Sequence, residues 1–152
     1  MESVICMMST HLDRPVREAP SATSDMFALI YEEMKKVMNT SNAFLYNLAK
    51  ASAKRLASEL RLDGEDPLRF ATNYLVKSGL AREVEVDEER MVVRGKGLLF
   101  GSRIRSSEPA DAVVAGILAG LLESATGRRV DVKEVACEAK GDPHCEFKIF
   151  VR

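Results

Sequence analysis

Glu134, Cys137 and Cys145 stand in the segment EVACEAKGDPHC, an E-x-x-C-x(7)-C spacing close to the C-terminus. The chain has three cysteines, and two of them fall here. Thiolates and a carboxylate gathered in this way are the donors of a tetrahedral Zn²⁺ site. The intervening AKGDPH is turn chemistry, so the chain can fold back and bring the two thiols together. Spacing alone leaves two other readings open. Both cysteines serve equally well as small core residues, and a disulfide is the third option, disfavoured without a secretory context.

Strand parity adds to the case. Val130, Val132 and Glu134 share one parity, while Arg129, Asp131 and Lys133 share the other. After the turn, Cys145, Phe147, Ile149 and Val151 alternate with Glu146 and Lys148. Both runs read as half-buried strands, with Glu134 and Cys145 pointing inward. A glutamate among valines is costly unless protonated, ion-paired or metal-bound. Cys137 lies three residues beyond Glu134, so the strand must end or bulge near Val135 or Ala136 for all three to converge.

The C-terminal stretch resembles the 4-vinyl reductase (4VR) domain, a relative of phenol-sensor ligand-binding domains and of TRAPP trafficking subunits. The matching residues are Gly116, Gly120, Gly127, Glu134, Cys137, Gly141, Asp142, Cys145 and Phe147. They cover about the last quarter of the chain. The resemblance implies a zinc site at Glu134, Cys137 and Cys145. In the phenol sensors a cysteine at the start of the preceding helix completes that site, and the matching position here is Asp111. Asp111 or a water is then the fourth ligand, unless Asp111 is only an acid favoured by a helix N-terminus. His144 is a further candidate, although as a strand neighbour of Cys145 it should face away.

These residues need elements to position them. A helix is expected from Ser24 as cap, with Phe27, Ile30, Met34 and Val37 or Met38 as its apolar stripe. A second runs through AFLYNLAKASAKRLASEL, with Phe44, Leu45, Leu48, Leu56 and Leu60 on one side. Its Ala49, Ala53 and Ala57 form a ridge on which another helix can pack closely. A third opens at Asp66-Pro67 and closes at Gly79. A hairpin follows, with Val84 and Val86 answered by Met91 and Val93 across a turn near Glu88. A fourth helix starts around Pro109 and ends before Gly127; Gly116 and Gly120 in it invite close approach. The order predicts an α+β fold, an antiparallel sheet of about four strands with helices packed on it. Residues 1–23 read as an N-terminal arm, with Cys6 of no evident role, and 24–152 as a single domain.

The chain of 152 residues is 46% apolar and 30% charged, as soluble globular domains are. A net charge of −1 gives no bulk attraction for nucleic acid or an anionic membrane. No apolar run is long enough for a membrane span, and the start does not read as a signal peptide, so the expected location is cytoplasmic. Neither a dinucleotide fingerprint nor a phosphate loop is present. The resemblance implies a small apolar, aromatic or hydrocarbon ligand held between helices and sheet, with Phe44, Tyr46, Tyr74, Gly116 and Gly120 as pocket candidates. A sensor or regulatory module with a structural zinc is the favoured reading. A tetrapyrrole vinyl reductase-related enzyme is the second and a dimeric TRAPP-like scaffold the third. A homodimer is expected through the Ala49, Ala53, Ala57 ridge and the two helical glycines.

Overall fold

The computed structural model describes residues 19–38, 41–60 and 66–152, with side chains from Met26 onward. Most of the expected arm, and Cys6, lie outside the described residues. Among these described residues, four α-helices and four strands follow in the order α1 (Ala19–Met38), α2 (Asn42–Leu60), α3 (Pro67–Lys77), β1 (Glu83–Asp87), β2 (Val92–Lys96), α4 (Ala112–Thr126), β3 (Val130–Ala136) and β4 (Cys145–Val151). A short 3₁₀ turn, Glu138–Lys140, sits between β3 and β4. The strands form one sheet in the order β1-β2-β4-β3, with every neighbouring pair antiparallel. The fold is α+β, with its helices packed on a four-stranded antiparallel sheet.

Local chemistry sets the boundaries. Asp66 caps α3 by accepting from the amides of Leu68 and Arg69 at 2.8 and 3.0 Å, with Pro67 in the first turn. Such a cap contributes about 1 kcal/mol. Gly79 and Gly127 follow α3 and α4 with φ of 75° and 66°, the left-handed geometry that stops a helix. Helix α1 begins at Ala19, upstream of Ser24, so Ser24 lies within the helix and is not its cap. Met91 sits in the β1–β2 turn with φ 52°, outside the strand expected to carry it.

The core lies between the sheet and α4, whose Val114, Leu118, Ala119 and Leu121 are fully buried. Helix α2 packs along α4. Its buried stripe is Leu45, Ala49, Ala53 and Ala57, while Phe44, Leu48 and Leu60 are exposed. The helix turns its alanine ridge, with Leu45, to α4, as the expected close packing of that ridge requires, because α4 presents glycines to it. A Cβ at Gly116 would collide with the Tyr46 carbonyl and stand 2.9 Å from Ala49 Cβ. One at Gly120 would collide with the Lys50 carbonyl and stand 2.7 Å from Ala53 Cβ. Glycine here shortens the distance between two helix backbones. The ridge and the glycines, expected at a dimer interface, therefore meet each other within one chain. Lys50 locks the same pair, bridging Glu123 on α4 at 2.8 Å and Asp131 on β3 at 3.6 Å.

Helix α1 departs furthest from expectation. Of its described side chains, from Met26 onward, Ala28 and Tyr31 are the buried ones. The stripe expected to face the core faces solvent instead, with Phe27, Ile30, Val37 and Met38 each more than half exposed. Only Met34 of that stripe packs partly against the core.

Candidate metal centre

Strands β3 and β4 bury alternate residues with the same pattern. Val130, Val132 and Glu134 face inward from β3, and Cys145, Phe147 and Ile149 from β4. The register shifts between Glu134 and Ala136, a bulge that turns Cys137 to the inner side. Without it, period-two alternation would send Cys137 outward. The loop beyond is held by its own backbone and one carboxylate. The amides of Lys140 and Asp142 bond to the Cys137 carbonyl at 3.0 and 3.2 Å. Asp142 Oδ2 accepts from the Cys137 amide at 2.8 Å. Gly141 supplies φ 99°.

Asp111 comes from the other layer, at the N-cap of α4. Its side chain makes no capping bond; it turns inward, with Oδ1 accepting from the Phe100 amide at 3.2 Å. Asp111, Glu134, Cys137 and Cys145 are all buried, and each offers a donor atom within 4.8 Å of the others. Cys145 Sγ lies 3.4 Å from Asp111 Oδ2 and Cys137 Sγ lies 4.0 Å from it. The four residues thus form a cluster capable of coordinating a metal. His144 is not among them: its Nε2 points to Glu146 Oε2 at 3.7 Å.

Each donor residue is also held from behind. The Ala110 amide donates to Cys137 Sγ at 3.4 Å, the Asp111 amide to Glu134 Oε2 at 3.0 Å, and the Glu138 amide to Cys145 Sγ at 3.2 Å. Such outer bonds fix ligand orientation in metal sites. Glu134 Oε1 is buried with no hydrogen-bond partner. An unpartnered buried carboxylate oxygen is expensive, and a cation among these donors would satisfy it. Among the described residues, neither Asp111 nor Glu134 forms an ion pair with a lysine, arginine or histidine.

The crowding of acidic groups shows in their proton affinities. Burial pushes the Asp111 carboxyl up to about 7. Burial and then the charge of Asp111 push Glu134 up to about 9. Hydrogen bonding between the thiols pulls Cys137 down to about 5 and pushes Cys145 up. A bound cation reverses this order, since metal ligands bind deprotonated.

Two residues of this site carry no periodic signal in the sequence. Gly101 lies against the cluster, where a Cβ would collide with Asp111 Oδ2 and stand 2.9 Å from Cys145 Sγ. Glu138 ties the cysteine loop to the segment after β2, accepting from the Gly97 amide at 3.1 Å and the Leu98 amide at 3.4 Å. Tyr31 of α1 lies close by, its hydroxyl donating to the Ala110 carbonyl at 3.2 Å and its ring stacked on Phe100 at 4.3 Å. Burial, then the charges of Asp111, Glu134 and Cys137, hold its phenol well above the usual range.

The five pocket candidates separate. Gly116 and Gly120 are occupied by helix packing and leave no room for a ligand. Phe44 is exposed, and the Tyr46 hydroxyl accepts from the Val132 amide at 3.0 Å, closing the edge of β3. Tyr74 lines a cleft of about 340 Å³ between α2, α3 and α4, with Leu45, Leu48, Leu56, Val113 and Ile117 among its walls. A second cleft, of about 330 Å³, lies between the helices and the end of the sheet, bordered by Leu68, Met91, Leu122 and Ile149.

Residues 100–150 match the V4R domain, a stretch that contains all four clustered residues and Gly101. Two uncharacterised proteins of Methanocaldococcus jannaschii are similar in sequence. One is 27% identical over 110 residues, covering 70% of this chain and 63% of its own length. The other is 44% identical over 126 residues, covering 80% and 52%. The chain therefore spans between half and two thirds of these relatives. Among solved structures, the phenol-responsive sensory domain of the transcription activator PoxR superposes with a TM-score of 0.61 at 16% identity, covering 82% of this chain and 72% of that one. A vinyl-4-reductase family protein from M. jannaschii gives 0.55 at 22%, covering 92% and 85%. A trafficking protein particle complex subunit 3 from Naegleria fowleri, covalently bound to palmitic acid, gives 0.64 at 15%, covering 87% and 96%. The chain has a V4R-domain-like fold, related to phenol-sensor ligand-binding domains and to TRAPP subunits. Among the described residues, no helix is long and apolar enough to cross a membrane.

Proposed function

We propose that this protein is a binding module for a small apolar or aromatic molecule, stapled by one Zn²⁺, and that it does no chemistry on its ligand. The observation that carries the reading is the cleft between α2, α3 and α4. Its walls are aliphatic, with the Tyr74 hydroxyl available for orientation, and its volume of about 340 Å³ suits a compact ligand. The PoxR domain of similar fold is described with phenol, and the TRAPP subunit of similar fold with palmitic acid, which supports this choice of ligand class.

The donor set supports the zinc. Two thiolates and two carboxylates match its borderline-soft preference, and orphaned Glu134 Oε1 has a cation to bind. Asp111, Glu134, Cys137 and Cys145 would hold the ion. Four protein donors complete a tetrahedral shell, the arrangement of structural rather than catalytic zinc. The ion would join the α4 N-cap to the β3–β4 loop and so hold helix layer to sheet. An output through a partner protein or a second copy fits a sensor or regulatory role.

A thermal-shift screen of phenols, hydrocarbons and fatty acids tests the ligand reading, because binding to the folded state alone raises the melting temperature. Ser52→Trp, placed on the cleft wall, should abolish the shift while leaving the metal content unchanged. Hits that persist in that variant would move the ligand to another site. Turnover of a vinyl-bearing substrate with a reductant would replace the binding reading with an enzyme.

A further inference from the structure

Two consecutive peptide groups, Pro109–Ala110 and Ala110–Asp111, stand between the first two helices and the clustered donors. Residues 104–111 belong to no helix or strand, so no ladder fixes these groups. Side chains hold their carbonyls instead. Asn42, the first residue of α2, donates from Nδ2 to the Pro109 carbonyl at 3.0 Å. The Tyr31 hydroxyl of α1 donates to the Ala110 carbonyl at 3.2 Å. On the other side of the same two groups, the Ala110 amide donates to Cys137 Sγ and the Asp111 amide to Glu134 Oε2. A peptide group is planar, with C=O and N–H on opposite sides. Fixing each carbonyl therefore aims the N–H at its donor residue, and a chain of hydrogen bonds through one amide is mutually strengthening. Lys35 of α1 donates to Asn42 Oδ1 at 3.1 Å, which leaves the Asn42 nitrogen for Pro109. The Tyr31 ring adds a third support. It stacks on Phe100, whose amide donates to Asp111 Oδ1.

We propose that Tyr31 and Asn42 are positioning residues for the metal donors, and that zinc binding and the docking of α1 are coupled through these two peptide groups. The inference rests on the zinc reading of the cluster and not on the ligand reading. Tyr31 stands one step behind Asp111, Glu134 and Cys137, three of the four clustered residues. The same residue is one of two buried side chains by which the described part of α1 meets the body, the other being Ala28. Phe27, Ile30, Val37 and Met38 face solvent and give the helix no hold there. The anchor of α1 and the support of the donors are thus one set of contacts. Coupling between two such events is reciprocal: whatever orders the donors favours the docked helix, and the docked helix favours the ordered donors.

Metal titrations of the whole chain against a chromophoric chelator test the proposal, with Zn²⁺ for affinity and Co²⁺ for the geometry of the donors. Tyr31→Phe keeps the ring on Phe100 and removes the hydroxyl. It should weaken Zn²⁺ by about three- to tenfold, as loss of an outer support does, and shift the visible Co²⁺ bands. Asn42→Ala should do the same. Ala57→Gly destabilises α2 away from both peptide groups and should change neither readout. Hydrogen exchange supplies the reciprocal arm: Zn²⁺ should slow exchange of the 26–38 amides several-fold in the wild type, and much less in Tyr31→Phe. Wild-type affinity and Co²⁺ bands in Tyr31→Phe, or an equal loss in Ala57→Gly, overturn the positioning role. Exchange of 26–38 that is the same with and without Zn²⁺ overturns the coupling. A wild type that takes up neither ion overturns the zinc reading, and the proposal with it.

Discussion

Gly101 touches Asp111 so closely that its missing side chain is part of the candidate metal site. The Gly101 Cα faces Asp111 Oδ2 and Cys145 Sγ at a distance that admits no Cβ. The turn after Phe100 thus forms one wall of the cluster, and that wall is backbone. Gly101→Ala should push Asp111 or Cys145 out of position and weaken metal binding by about tenfold or more, the scale of changes in a supporting shell. Elemental analysis after competition with a graded chelator measures this. Retention equal to that of the wild type would mean that the turn yields.

The four clustered residues should act as a unit. Cys137→Ser and Glu134→Gln are each expected to lose the zinc and lower the melting temperature together, because structural zinc is coupled to folding. Asp111→Cys should keep the ion, since it still offers an anionic donor at the α4 N-cap, whereas Asp111→Ala should not. One Zn²⁺ per chain in protein purified without chelator is the reference. Full-length protein with reduced thiols and no metal would refute the site.

Glu123 gives a pH-dependent prediction away from the metal. Its carboxylate takes Lys50 at 2.8 Å, Lys54 at 2.7 Å and the Val130 amide at 3.0 Å. These contacts, Lys50 first, lower it from the ordinary 4.5 to about 2. A folded value below the unfolded one means that its stabilisation is fully present above 4.5 and is lost as pH falls toward 2. Glu123→Gln should therefore cost about 1–2 kcal/mol at neutral pH. The gap from wild type should close on acidification through that window. Denaturant titrations at pH 7 and pH 3 would show it; a gap independent of pH would remove the charge from the account.

Gly116→Ala and Gly120→Ala should each destabilise the fold by about 2 kcal/mol or more, because the added carbon meets backbone that cannot rotate away. The natural control is Ala57→Gly on the opposing ridge, which adds no atom and should cost about 1 kcal/mol through helix propensity. Equilibrium unfolding in urea separates the two. If Gly120→Ala is neutral, the α2–α4 approach is looser than these distances indicate.

Much of the Asp111, Glu134, Cys137 and Cys145 cluster was legible in the residue order. Asp66-Pro67 marks a helix start and Gly79 and Gly127 helix ends by local backbone chemistry, and α3 and α4 begin and stop there in the structure. Strand parity put Glu134 and Cys145 inward, and the three-residue step to Cys137 demanded the irregularity that appears between Glu134 and Ala136. Side-chain alternation is a property of the strand itself, so it needs no knowledge of what the strand packs against. The position of Asp111 came from a family resemblance rather than from its spacing.

Other features were decided only by tertiary structure. The apolar pattern of α1 and α2 identified which residues avoid water, but not which partner would cover them. Two glycines on α4 made the alanine ridge of α2 its buried face and left leucines along a cleft. The stripe of α1, apart from Met34, found no cover among the described residues. Gly101 and Glu138 entered the site through contacts across the fold, and neither lies in a periodic pattern. Periodicity records a preference for burial along one element; the choice of neighbour depends on shapes that meet only when the elements pack.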